Sequence, residues 1–128
     1  MSDIDKLIAD HPDNGGYHNE SCWERATHNI QLDKALADCG AAVKAAPRGP
    51  NFIDSHGFIE LRLGHYDEAM ADYTAALALA PTQADSLYGR GIARLRKGLT
   101  RDGQADLDAA RKLSPKIDDV WAGYGLKP

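Results

Sequence analysis

Three prolines set 34 residues apart, Pro47, Pro81 and Pro115, constrain this chain more than any other feature. Each closes a segment that opens on Ala-Asp: ADCGAAVKAAP over 37–47, ADYTAALALAP over 71–81 and ADLDAARKLSP over 105–115. A fixed period of this length marks a stacked architecture, in which one supersecondary unit cannot bury its apolar face alone and neighbouring units bury it together. Within 50–81, two stretches of helical composition flank Leu63-Gly64-His65. Gly64 suits a helix end, because a residue without Cβ takes the left-handed conformation cheaply. The unit is therefore expected to be a helical hairpin, helix A followed by helix B.

Taken in order, DIDKLIAD over 3–10 sets Ile4, Leu7 and Ile8 on one stripe of a short helix, expected to cap the stack. The first hairpin is expected to place helix A from about Tyr17 to His28 and helix B from about Asp33 to Ala46. In the second, Asn51 followed by Asp54 resembles a capping box, helix B runs from about Tyr66 to Ala80, and Thr82-Gln83-Ala84-Asp85 opens the third in the same manner. Gly98 ends its helix A as Gly64 does. After Pro115, Ile117, Val120, Trp121 and Tyr124 make one apolar face of a last helix, ended by Gly123 and Gly125 and suited to cover the exposed end. One domain over 1–128 follows, with the N-terminal helix and linker over 1–15, units at 16–49, 50–83 and 84–117, and the cap over 115–124.

The 34-residue helix–turn–helix period resembles the tetratricopeptide repeat, W-x2-L-G-x2-Y, then A-x3-F, then Pro. Gly57 and Gly91 fall on its helix-A glycine, Ala35, Ala69 and Gly103 on its small helix-B residue, Tyr73 on its aromatic, and the three prolines on its proline. Asn19, Ile53 and Leu87 replace the tryptophan, Cys22, His56 and Arg90 the leucine, and Ala26, Glu60 and Arg94 the tyrosine. The resemblance implies an all-α, right-handed superhelical solenoid of three hairpins. Trp23 stands where the first unit should carry a small residue, so its helices splay or Trp23 turns to a neighbouring surface.

The chemistry points away from catalysis. A nucleotide loop, a Gly-x-Ser-x-Gly elbow and a His-Glu-x-x-His motif are all absent from the sequence, and no catalytic residue, metal site or cofactor is expected. Gly89-Arg90-Gly91 lies inside an expected helix with no preceding strand, so it is not a phosphate cradle. His18 and Cys22 share a helical face but lack a third and fourth ligand. Cys22 and Cys39 both face the core of the first hairpin. The first reading is two small buried apolar thiols, the second a disulfide, which would argue for export. The N-terminus lacks a basic start and a long apolar core, and no run approaches a membrane span, so a cytoplasmic protein is expected otherwise.

Charge is uneven. Residues 1–81 hold 6 basic and 13 acidic side chains (6 − 13 = −7) and residues 82–128 hold 9 and 6 (9 − 6 = +3), giving −4 in all. Nucleic acid is a poor partner for a net negative chain whose basic residues are interleaved with Asp102, Asp106 and Asp108. Glu60 and Arg94 occupy equivalent places in adjacent units and are expected to pair across them, with Arg90 close by.

The resemblance implies a concave groove lined by the A helices. Its inward positions would be Tyr17, Glu20, Glu24 and His28, then Asn51, Asp54, Phe58 and Arg62, then Asp85, Tyr88, Ile92 and Arg96. Phe58, Tyr88 and Ile92 would form an apolar centre edged by Arg62 and Arg96, a composition typical of binding hot spots; packing between adjacent A helices is the other use of Phe58 and Ile92. The family's lysine- and asparagine-rich clamp for chaperone tails is replaced by Glu20, Glu24, Ser55 and Gly89, so such tails are disfavoured. The expected role is a non-catalytic interaction module that binds a partner peptide or helix with apolar anchors and an acidic flank. A self-assembling structural unit and an accessory domain of a larger enzyme are the alternatives.

Overall fold

The computed structural model describes residues 3–128. Eight helices follow one another among them: α1 (Asp3–Asp10), α2 (Gly15–Thr27), α3 (Leu32–Ala45), α4 (Pro50–Arg62), α5 (Tyr66–Leu79), α6 (Ala84–Arg96), α7 (Thr100–Leu113) and α8 (Ile117–Gly123). Pairs α2/α3, α4/α5 and α6/α7 form three hairpins. Helix α4 packs on both helices of the first hairpin, and α6 packs on both helices of the second. The A helices α2, α4 and α6 thus make one continuous layer, and the architecture is an all-α repeat solenoid.

Local chemistry explains the boundaries. Gly64 and Gly98 take φ of +80° and +81° at the ends of α4 and α6, as their lack of Cβ permits. The first hairpin has Ile30 at the equivalent place and makes its turn with Asn29 and Gln31, at φ of 56° and 45°. The expected caps at Asn51 and Thr82 do not form. Pro50 occupies the first turn and moves the start of α4 back to Gly49, while α6 starts after Gln83, and neither helix has a side-chain cap. Asn14, by contrast, accepts from Tyr17 N–H at 3.0 Å and caps α2.

Packing in hairpins two and three follows a small-against-large rule. A Cβ on Gly57 would come within 3.1 Å of the Tyr73 ring, and one on Gly89 within 2.3 Å of it. Tyr73 of α5, fully buried, therefore wedges between α4 and α6. Gly91 lets α6 approach α7 so closely that an added Cβ would meet the Gly103 carbonyl and Leu107 at 2.9 Å. The Gly89-Arg90-Gly91 run is a seat for two helices. In the first hairpin Cys22 and Cys39 are joined in a disulfide, Cα atoms 5.3 Å apart, so the reading of two free thiols is corrected. Helical spacing brings both to the facing sides of α2 and α3 at bonding distance.

Each hairpin also closes through the aspartate of its Ala-Asp pair. Asp38 accepts from Ser21 Oγ at 2.5 Å and lies 3.3 Å from His18 Nδ1; Arg25 in turn donates to Ser21. Asp72 pairs with His56 at 2.6 Å, and that hydrogen bond holds the imidazole pKa above its usual value. Asp106 takes Arg90 at 2.9 Å and Arg94 at 2.7 Å. The expected Glu60–Arg94 pair is thereby corrected. Each finds its partner within its own hairpin, Glu60 taking His65 in the turn before α5 at 2.6 Å and Arg94 taking Asp106 of α7. Contacts between ions and buried neighbours of this kind fix geometry more than they add stability.

The helix α1 packs on α2 without burying any residue; Leu7 stays 38% exposed. Its attachment is polar, with Asp5 bridging buried Arg25 at 3.0 Å and Lys34 at 2.7 Å.

Candidate partner groove

The A-helix layer places the expected inward residues on one surface, but their exposure divides them. Glu20, Glu24, His28, Asn51 and Arg96 are the more open, Tyr17, Arg62 and Asp85 half-buried, and Asp54, Phe58, Tyr88 and Ile92 buried. Phe58, Tyr88 and Ile92 were expected as an open apolar centre. They are instead 0%, 1% and 1% exposed, because the end of the chain lies over them.

The cover begins with α8, which reaches its place because Pro115 ends α7's course and turns the chain back over α6. Ile117 and Trp121 are buried on its inner side, while Val120, expected on the same face, is 47% exposed. The Trp121 indole lies 5.2 Å from the Phe58 ring and 5.0 Å from that of Tyr88, and its Nε1–H donates to Asp85 Oδ1 at 3.0 Å. Tyr88 Oη donates to Asp118 at 2.7 Å, and Arg111 also donates to that carboxylate, keeping it below the ordinary carboxylate range. Burial and the Asp118 bond push the Tyr88 phenol up.

Beyond α8 the chain crosses toward the first hairpin. Gly125, at φ +77°, makes the bend. Tyr124 sets its ring edge-on to Phe58 at 5.4 Å and to Trp23 at 5.8 Å, and Trp23 itself tilts against Phe58 at 4.9 Å. Trp23 has therefore turned to the neighbouring hairpin rather than splaying its own. Arg62 lies 5.6 Å from the Phe58 ring centre and donates to the carbonyls of Ala26 at 3.1 Å and Tyr124 at 2.5 Å. Arg96 donates to the Lys127 carbonyl at 3.0 Å. Leu126 lines a shallow cleft with Arg62, Ile92 and Arg96. Aromatic contacts of this offset and edge-on kind each contribute roughly 1 kcal/mol beyond the area they bury.

A polar cleft lies beside this aromatic patch, lined by Asn19, Trp23, Asn51, Asp54, Ser55, Gln83 and Asp85. Asp54 accepts from Ser86 Oγ at 2.6 Å. Burial, with some help from the Asp85 charge, pushes its pKa up to about 7. Asn19 Oδ1 is buried there with no hydrogen-bond partner. His18 and Cys22, weighed as ligands, are committed elsewhere: His18 to Asp38 and the Pro12 carbonyl, Cys22 to its disulfide. Among the described residues no group of three or more histidine, cysteine or acidic side chains could hold a metal ion. Nor is any described helix long and apolar enough to cross a membrane.

The groove residues that sequence reasoning missed are Trp23, Trp121 and Tyr124. A signal for one existed, since Trp121 stands 34 residues after Leu87 and thus at the next helix-A position.

The hairpins, glycine seats and closing prolines have counterparts in known proteins. Residues 57–98 match the family model described as a TPR repeat. Over that stretch the chain is similar to tetratricopeptide repeats. Among solved structures, a thermophilic TPR protein of Thermus thermophilus superposes with a TM-score of 0.74 at 22% identity, covering 95% of this chain and 68% of that one. The first TPR of Spaghetti (RPAP3), bound to the HSP90 peptide SRMEEVD, gives 0.73 at 20% identity, with 79% of each chain covered. MamA MSR-1 gives 0.72 at 21% identity over 89% of this chain, which spans 65% of the MamA chain. A search of curated proteins finds no match. Identities this low establish the shared fold and leave the ligand to the groove itself.

Proposed function

We propose that this tetratricopeptide-repeat protein is a non-catalytic interaction module whose A-helix surface receives a segment of a partner protein. The observation that carries the reading is that this surface already seats a peptide segment, the chain's own residues 121–127. Rings stack on Trp23, Phe58 and Tyr88 while Arg62 and Arg96 take main-chain carbonyls. That is a peptide-binding chemistry of apolar anchors plus fixed donors. The related fold of RPAP3 holding a peptide supports it. Arg96 favours an acidic flank at the third hairpin, whereas Glu20, Glu24, Asp54 and Asp85 disfavour a peptide whose acidic run extends across the groove, such as the EEVD end of SRMEEVD.

The disulfide shifts the proposed compartment from the cytoplasm to an oxidising one, where such bonds persist. Thiol alkylation in the source cells without prior reduction tests this; alkylated Cys22 and Cys39 would restore the cytoplasmic assignment.

Site-specific photo-crosslinking tests the groove. A crosslinker at Asn51 or Arg96, both on A helices, should trap partner proteins, while one at Glu68 or Gln104, exposed on B helices, should not. Adducts confined to the B-helix positions would refute groove binding.

A further inference from the structure

We propose that Tyr124 and Leu126 occupy the seats of the partner's own anchors, and that the ligand is a short turning segment presenting an aromatic residue followed two positions later by an aliphatic one, with glycine between them. Binding then requires this stretch of the tail to leave. The inference rests on the groove reading above and specifies what the groove selects and what holds it closed.

The tail is held unevenly. Trp121 is 1% exposed, in contact with the rings of Phe58 and Tyr88 on the A helices as well as that of Tyr124, and hydrogen-bonded through its indole, so it belongs to the folded body. Tyr124 and Leu126 are only half-buried, and the residues around them, Gly123, Gly125 and Lys127, are exposed. The helix ends at Gly123, the N–H groups of Tyr124, Gly125 and Leu126 donate back to the Trp121 and Ala122 carbonyls, and the remaining contacts are ones that a peptide making the same turn can supply. They comprise one ring against Phe58 and Trp23, one aliphatic side chain beside Ile92, and carbonyls at Tyr124 and Lys127 that accept from Arg62 and Arg96. Main-chain carbonyls carry no side-chain identity, so the two arginines fix the direction and register of an incoming segment while the two apolar seats choose its residues. Gly125 at φ +77° makes the lay of the tail conditional on a conformation that other residues adopt at a cost. The tail competes intramolecularly, at an effective concentration on the order of millimolar for a short tether. A free segment of equal quality is therefore held off until its own affinity, or its tethering within a larger partner, exceeds that.

The test uses the full chain and a fluorescently labelled peptide of residues 123–128, GYGLKP. Tyr124→Ala combined with Leu126→Ala empties both seats and leaves Trp121 in place; circular dichroism and size-exclusion chromatography check folding and mass. The labelled peptide should bind this variant at least about tenfold more tightly than the unsubstituted chain, as removal of a tethered competitor implies. Adding Arg62→Met should abolish the gain. Gly125→Val, which keeps both side chains but strains the bend, should give a gain of the same sign and covers the case in which the double variant fails to fold. Equal affinity for variant and unsubstituted chain, or no binding to a folded variant, overturns the proposal and leaves groove binding itself to the crosslinking experiment. A dimer of the unsubstituted chain that disappears in the double variant would give the seats to a second copy, and overturns it too.

Discussion

The first hairpin and the two that follow solve the same packing problem with opposite volumes. In the second and third, helix A is hollowed at Gly57, Gly89 and Gly91, and helix B fills the hollow with Tyr73 or approaches it with Gly103 and Leu107. In the first, the positions 34 residues earlier reverse the sizes: Trp23 replaces Gly57, and Cys39 replaces Tyr73. The small cysteine cannot wedge between α2 and α4 as Tyr73 does between α4 and α6, and a covalent bond to Cys22 ties α3 to α2 instead. Trp23, with no hollow to enter, turns outward and becomes a wall of the groove. What departs from the repeat pattern in hairpin one is thus what gives the groove its aromatic end.

The wedge should matter most. Tyr73→Ala is expected to destabilise by about 4 kcal/mol, the range for removing a buried aromatic, read from urea midpoints; a loss under about 1 kcal/mol would mean that α4 and α6 close around the gap. Next comes the staple. Reducing the Cys22–Cys39 bond, or replacing both residues with serine, should cost about 3 kcal/mol for a loop of this length, and hydrogen exchange should quicken in α2 and α3 before α6 and α7. Uniform quickening would contradict a staple confined to the first hairpin.

Smaller effects sharpen the same contrast. A double-mutant cycle on Arg94 and Asp106 should show coupling of about 1 kcal/mol, whereas one on Glu60 and Arg94 should be additive within about 0.5 kcal/mol. Coupling in the second cycle alone would restore a contact between hairpins. Asp54, on the covered side of the groove, carries a folded pKa of about 7 against 3.8 unfolded. Its contribution is complete below the unfolded value and is lost as pH rises toward about 7, so Asp54→Asn should remove a decline in stability over that interval. A pH profile unchanged by the substitution would place Asp54 in better-solvated surroundings. Smallest of all, Tyr73→Phe should be neutral or slightly stabilising, because the buried Tyr73 hydroxyl has no hydrogen-bond partner.

Hairpins, glycine turns and the two-cysteine contact were legible because each depends on spacing within one repeat. Trp23's outward turn was legible as one of two choices that a bulky side chain at a small position allows. Pairing partners were not. Register places Glu60 and Arg94 at equivalent positions, yet says nothing of direction, and both pair within their own hairpins. The capping residue at Asn51 was misread because α4 begins at Pro50, with Gly49 at the cap position two residues sooner. The last helix and its end at Gly123 and Gly125 were legible, but its lie over Phe58, Tyr88 and Ile92 was not: it depends on Arg62 meeting a carbonyl 62 residues away, which has no local signature.

Both tryptophans of the chain, Trp23 and Trp121, touch the same Phe58 ring, one from the first hairpin and one from the last helix. Indole emission is therefore an optical gauge of this single spot. Anything that loosens the chain's end from the A helices will change the colour of nearly all the light the protein emits, with no label attached.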